Sequence, residues 1–417
     1  MTATIMKRGL LLSVFLSLFT CVWSIEIDGF EYELLSFDSK TVELRRADFY
    51  NCEGEVFIPS IVVIEDYPFT VTAIGIGAFR GCKVTSVSIP NSVKAIGSYA
   101  FEGCQYLLSI NIPESVTSIG KGAFDNTGWY NLQEEGFLSS DNWILGYKGE
   151  YKQDVLSIPE GTIGIAGGAF SDLSELTSVM MDNSVRYTCS DAFQNCSNLT
   201  TVNLSNNLLF LSGFAGCTSL TSINIPNSVE TIDYRAFEGC TGLTSVNIPN
   251  SVETIGSYAF SGCTGLTSVN IPNCVKSIGG YAFRNCTGLT SVTIGSGVTE
   301  FCYSVFADTD NIMSVTSYLT RPSDLPIYKQ TFFSQKTYNY GTLYVPEGTK
   351  DIYIRFDGWR NFYNIVEFDP SGINKVMLDN SENASVYDLN GRRLNQSQKG
   401  INIIRQSDST VKKVVVK

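Results

Sequence analysis

Polar and apolar positions alternate in short bursts, and the bursts return at a fixed interval. In the segment Leu243-Thr244-Ser245-Val246-Asn247-Ile248-Pro249, Val246 and Ile248 alternate with polar neighbours, as on a strand with one buried face. Pro249 ends that strand because it has no N–H for the next rung. Val252 and Ile255 form a second apolar pair, and Gly256 permits a turn. Ala259 and Phe260 point inward again, Gly262 turns the chain, and Cys263 faces inward. The inward phenylalanine recurs at Phe79, Phe101, Phe124, Phe170, Phe193, Phe214, Phe237, Phe260, Phe283 and Phe306, after Ala at all but Phe214 and Phe306. The spacings are 22, 23, 46, 23, 21, 23, 23, 23 and 23, with Tyr147 at the position that the doubled interval skips. This predicts about eleven turns, one of them degenerate.

A unit of 23 residues cannot bury its apolar face alone, whereas stacked units bury a continuous core. The pattern therefore predicts a β-rich repeat solenoid with short turn or 3-10 segments. Parallel strands lie about 4.8 Å apart, so eleven turns give a rod of about 50 Å. Residues 1–24 read as a signal peptide, with Lys7 and Arg8 before the apolar run Gly9–Phe19 and a small-residue site at Val22-Trp23-Ser24. Met6 is an alternative start, and lipidation at Cys21 is an alternative fate. Residues 25–70 alternate as a β cap (Val42, Leu44; Val56, Ile58), 71–312 form the solenoid, and 313–371 close it. Trp359, Phe362 and Ile365 are the expected seals of that closing segment. Residues 372–417 form a small β module with a hairpin turn at Asn390-Gly391.

The pattern Leu-x-x-Ile-x-Ile-Pro-x-x-Val-x-x-Ile-Gly-x-x-Ala-Phe-x-x-Cys resembles the BspA-type leucine-rich repeat of bacterial surface proteins over about residues 56–310. The stretch Trp143–Gly149 is similar to a variant repeat of that family. The resemblance implies a leucine-rich-repeat fold and a secreted or cell-surface location. It also implies a role in binding, as in adhesion to host matrix proteins, coaggregation or immune recognition. In the tail, Val386-Tyr387-Asp388-Leu389-Asn390-Gly391, Lys399-Gly400-Ile401 and the basic Val-rich end resemble type IX secretion sorting domains. Asn402 stands where those domains commonly carry an aromatic residue. A plain closing β-sandwich is the other reading of this module.

Composition narrows the chemistry. The 417 residues include no histidine, which excludes His-based triads, His general bases and His-ligated metals. The net charge of −12 argues against nucleic acid as a partner. That charge is uneven: residues 25–371 carry 19 bases and 37 acids, whereas 372–417 carry eight bases and four acids. Seven cysteines, Cys82, Cys104, Cys196, Cys217, Cys240, Cys263 and Cys286, share one inward repeat position. They read as a stacked thiol ladder, since one residue per turn makes a line and not a metal tetrahedron. Glu230 and Glu253, like Glu102 and Glu238, recur at exposed repeat positions, which reads as solvation and not as an acid pair. No catalytic residue, metal site or cofactor is expected.

Two surfaces are candidates for binding. The outward strand positions carry Ser222, Asn224, Ser245, Asn247, Ser268 and Asn270, an uncharged hydroxyl-and-amide ladder on the expected concave face. Tyr99, Tyr258 and Tyr281, just before Ala-Phe, form a rival patch if they are exposed. The expected function is protein binding by a monomeric surface protein without a transmembrane helix. A structural envelope spacer with no discrete ligand is the alternative.

Overall fold

A computed structural model describes residues 24–47, 52–325 and 332–370. Beyond these it describes the short strands Ser385–Tyr387, Arg393–Leu394, Gly400–Arg405 and Val411–Val416. The expected signal peptide, apart from Ser24, lies outside the described residues, as does the Asn390-Gly391 turn.

The chain opens with an antiparallel meander of Ser24–Ile27, Phe30–Ser36 and Thr41–Ala47. Val42 and Leu44 are fully buried, as their alternation with polar residues requires. Thr41–Ala47 then pairs in parallel with Tyr67–Ile74, and the coil begins. From here each regular turn adds a two-residue rung with one buried isoleucine to one parallel ladder, as in Thr231–Ile232, Thr254–Ile255 and Ser277–Ile278. Gly256 N–H donates to the Ile232 carbonyl at 2.7 Å, and Phe260 N–H to the Ala282 carbonyl of the next turn at 2.7 Å. The backbone donors of successive turns thus satisfy one another around the coil.

The phenylalanines stack turn upon turn. Ring centroids from Phe170 through Phe306 lie 5.1–5.8 Å apart, with planes within 16° of parallel. Glycine of the Thr-Gly-Leu corner keeps the turns close. A Cβ at Gly265 would sit 2.6 Å from the Thr241 carbonyl oxygen of the turn before.

Two expectations are corrected. Tyr147 does not fill the gap in the phenylalanine row. A short helix, Gly128–Leu132, and an antiparallel hairpin, Gly136–Ser140 with Trp143–Lys148, replace the regular turn there. The hairpin sets Phe137 opposite Tyr147, so Phe137 meets Phe170 edge-on at 6.0 Å while Tyr147 packs on Phe137 and Tyr151. The apolar core divides into two clusters near this hairpin. Gly167 N–H to the Ile119 carbonyl at 2.8 Å, and Ile119 N–H to Cys189 Sγ at 3.3 Å, join the turns that precede and follow the hairpin in sequence.

The second correction concerns the strand read in Leu243–Pro249. Regular strands form at Ser178–Met180, Thr201–Asn203, Ser268–Ile271, Ser291–Ile294 and Ser314–Ser317. Between Thr201–Asn203 and Ser268–Ile271 no regular strand forms on this face; the segments are joined by the bridge Asn224–Asn247 and by Thr244 N–H to the Thr221 carbonyl at 3.1 Å. Proline removes one rung from these segments. Gly295 N–H donates to the Ile271 carbonyl at 2.9 Å, and Tyr318 N–H to the Ile294 carbonyl at 2.9 Å. Pro249 and Pro272 stand at the same rung and have no hydrogen to give to Ile225 and Ile248.

Residues after 312 continue the coil. Ser314–Ser317, Thr342–Pro346 and Asn364–Phe368 pair in parallel, and Phe333 stacks on Phe306 at 5.0 Å. Trp359, Phe362 and Ile365 are buried at this end. The Tyr353 hydroxyl lies 2.6 Å from the Ser317 hydroxyl and donates to the Leu319 carbonyl at 2.8 Å. Counted through these end turns, the solenoid has about thirteen turns. In the tail, Ser385–Tyr387 pairs antiparallel with both Arg393–Leu394 and Gly400–Arg405, which pairs with Val411–Val416.

Candidate functional site

The ladder cysteines face inward. Cys82, Cys104, Cys196, Cys217, Cys240, Cys263 and Cys286 are all buried. Six of these thiols donate to the backbone carbonyl of the phenylalanine one turn back. The bonds are Cys104 to Phe79 and Cys286 to Phe260 at 3.0 Å, and Cys196 to Phe170 at 3.2 Å. Cys217 to Phe193 measures 3.3 Å, Cys240 to Phe214 3.0 Å and Cys263 to Phe237 3.1 Å. Burial pushes the Cys104, Cys240 and Cys286 thiols up to about 12, and Cys196 to about 11. The same cause raises Cys263 well above its ordinary range. Such thiols stay protonated and unreactive at neutral pH. Cysteine was expected as a small apolar filler; its donor role was not read from the sequence, because only the coil brings Sγ to a carbonyl.

The strand face is polar and open. Ser222, Asn224, Ser245, Asn247, Ser268 and Asn270 are all exposed. Where the ladder loses its rungs, an open trough of about 600 Å³ runs along the ends of these segments. Its lining includes Asn227, Asn247, Asn250, Asn270, Thr293 and Tyr318, and no charged residue.

The tyrosines fall into two places. Tyr99 stands apart, with the Arg80 guanidinium 5.9 Å from its ring centre. Tyr258 and Tyr281 stack at 5.1 Å, and their row is longer than the repeat register shows. Tyr234 joins one end at 6.0 Å and Tyr303 the other at 5.1 Å, both edge-on. Each sits one position before its counterpart in the repeat, where Arg235 and Ser304 stand, so an alignment of repeats does not bring them together. Arg235 lies over the rings of Tyr234 (5.1 Å) and Tyr258 (5.8 Å), and Arg284 over Tyr281 (5.4 Å). Asp308 holds Arg284 by a 2.9 Å hydrogen bond. Glu238 lies 3.1 Å from Arg235 Nε, an ion contact without hydrogen-bond alignment. Tyr234 and Tyr303 are exposed and the two central rings half-buried.

The backbone under these tyrosines is costly. Tyr99, Tyr258 and Tyr281 have φ of 59°, 60° and 59°, in the left-handed region. Gly77, Gly122 and Gly168 occupy the same repeat position with φ of 62°, 63° and 70°. A bulky residue there costs on the order of 1 kcal/mol that glycine does not.

A family model for the BspA type leucine rich repeat region matches six copies, over residues 72–139, 147–212 and 209–339. Together these cover more than half of the chain. The protein belongs to the BspA-type leucine-rich repeat family. Solved structures similar to it include a leucine-rich repeat protein from Bacteroides ovatus, 24% identical, with a TM-score of 0.37 over 84% of this chain and 89% of that one. A leucine rich cell surface protein from Faecalibacterium prausnitzii is 22% identical, with a TM-score of 0.29 over 71% and 95%. The pneumococcal vaccine antigen PcpA is 16% identical, with a TM-score of 0.30 over 83% and 99%. No curated protein matches significantly. Among the described residues no group of three or more acidic or cysteine side chains could hold a metal ion, and no helix is long and apolar enough to cross a membrane.

Proposed function

We propose that this BspA-type repeat protein is exported and binds another protein, in the manner of an adhesin, through the row Tyr234, Tyr258, Tyr281 and Tyr303. The observation that carries the reading is the left-handed backbone at Tyr258 and Tyr281, where three turns place glycine (Gly77, Gly122, Gly168) and three place Asp191, Arg235 and Ser304. Stacking of the coil does not need tyrosine there, since the glycine turns stack as well. Aromatic rings with arginines across them are the residue types that dominate protein interfaces. Two of the rings are exposed at the ends of the row, and the acids Glu238 and Asp308 fix the arginines, so little side-chain freedom is lost on binding. Export rests on the basic start and apolar run of residues 1–24, and the sorting-like order of the tail agrees with it.

The test is surface plasmon resonance of the purified chain against a panel of purified extracellular matrix proteins. Saturable binding that disappears in the Tyr258→Gly, Tyr281→Gly double variant supports the reading. Binding to none of them favours an envelope spacer. Binding that survives the double substitution removes the tyrosine row from the account.

A further inference from the structure

We propose that the trough at Asn247 and Asn270 is a second binding site, for a neutral, unbranched oligosaccharide laid along the solenoid with one sugar ring per turn. The site is separate from the tyrosine row and stands or falls without it. Three observations meet here.

The first is charge. The chain carries −12 overall, yet no charged residue lines the trough. A basic ligand finds no carboxylate in it and an acidic one finds no cation.

The second is unused hydrogen-bonding capacity. Among the described residues the side-chain amides of Asn227, Asn247, Asn250 and Asn270 make no hydrogen bond, whereas Asn273 Oδ1 in the same lining accepts the Ser296 N–H at 2.9 Å. Each offers two donors and an acceptor, a match for sugar hydroxyls that both give and accept. The Ile248 carbonyl at the trough receives no rung from the next turn, because Pro272 cannot donate. A ligand hydroxyl can supply that missing donor. Proline thus leaves backbone acceptors for a guest at this face.

The third is period. Stacked strands lie about 4.8 Å apart, and the phenylalanine rings of these turns, Phe237, Phe260 and Phe283, stack at 5.2–5.4 Å. That is close to the length of one pyranose unit in an extended glycan. An extended peptide advances about 3.3 Å per residue, so its like-facing side chains fall about 6.6 Å apart and drift out of step with the rungs. At one end of the trough the half-buried Tyr318 ring is braced edge-on by Phe368 at 5.3 Å, which gives the first sugar an aromatic face.

Isothermal titration of the full chain with cellohexaose, xylohexaose and mannohexaose tests the proposal, with a polysulfated dextran as charged control. At least one neutral hexasaccharide binds saturably, its affinity rising with chain length up to about four sugars. The Asn247→Ala, Asn270→Ala double variant weakens it at least roughly tenfold, since each lost hydrogen bond is worth a factor of several. Tyr318→Ala weakens it as well, while Tyr281→Gly leaves it unchanged. Circular dichroism of the variants confirms that the coil is intact. No binding of any neutral hexasaccharide overturns the proposal. So does binding that the asparagine variant leaves unaltered, or preference for the polysulfated dextran.

Discussion

The Cys263 thiol donates a hydrogen bond to the Phe237 carbonyl of the preceding turn at 3.1 Å. The Phe237 carbonyl also accepts the Cys240 N–H at 3.1 Å, so the thiol is its second donor. Removing it in Cys263→Ala leaves the carbonyl with one donor and opens a small void between turns. A loss of about 1–2 kcal/mol is expected. Urea unfolding of the variant against the parent measures it, and an unchanged midpoint would show that the thiol bond adds nothing.

Alkaline stability follows from the same thiols. Their folded ionisation lies near 11–12 at Cys104, Cys196, Cys240 and Cys286, against about 8.5 for an unfolded cysteine. Above about pH 9 the unfolded chain releases these protons and the folded chain keeps them. The unfolded state then binds fewer protons, so stability is whole below that pH and falls as pH rises toward 12. Each thiol contributes up to about 1.4 kcal/mol per pH unit. Unfolding midpoints between pH 7 and 11 check this, with a shallower decline expected for Cys240→Ala. At pH 7.5 a thiol reagent should label the exposed Cys274 and, more slowly, Cys302, and leave the buried ladder thiols untouched until the chain unfolds.

Close approach at the Thr-Gly-Leu corner gives a steric prediction. The methyl group of Gly265→Ala meets the Thr241 carbonyl at 2.6 Å and the Leu243 carbonyl at 3.0 Å. Both are backbone atoms, and neither can swing aside. The cost is expected at about 1–3 kcal/mol, read as a lowered thermal midpoint. The same change at Gly161, where a Cβ meets nothing within 4 Å, avoids the clash and costs only its left-handed backbone strain (φ 82°).

Period and the inward phenylalanines and cysteines could be read from residues alone, because stacking demands the same residue at the same place in every turn. What escaped the sequence breaks that rule. Phe137 takes the contact expected of Tyr147 because a hairpin, with its own register, replaced a turn. Tyr234 and Tyr303 join Tyr258 and Tyr281 from a position one residue off the repeat. The trough appears only when Pro249 and Pro272 are set beside Gly295 and Tyr318, which do donate their rungs. Each is a relation between turns, and single-turn patterns do not contain it.

The sharpest test separates stacking from binding at one residue. In Tyr281→Gly the chain loses a ring that packs on Tyr258 and Tyr303 but gains a residue at ease with φ 59°. The two effects oppose, so stability is expected to move by less than about 1 kcal/mol. Affinity for a captured protein partner, measured by surface plasmon resonance beside the urea midpoint, is the decisive quantity. A near-parental midpoint with affinity reduced at least roughly tenfold is the expected result, as for loss of an aromatic anchor. Parental affinity in a folded Tyr281→Gly chain would contradict the assignment of the tyrosine row as the binding surface.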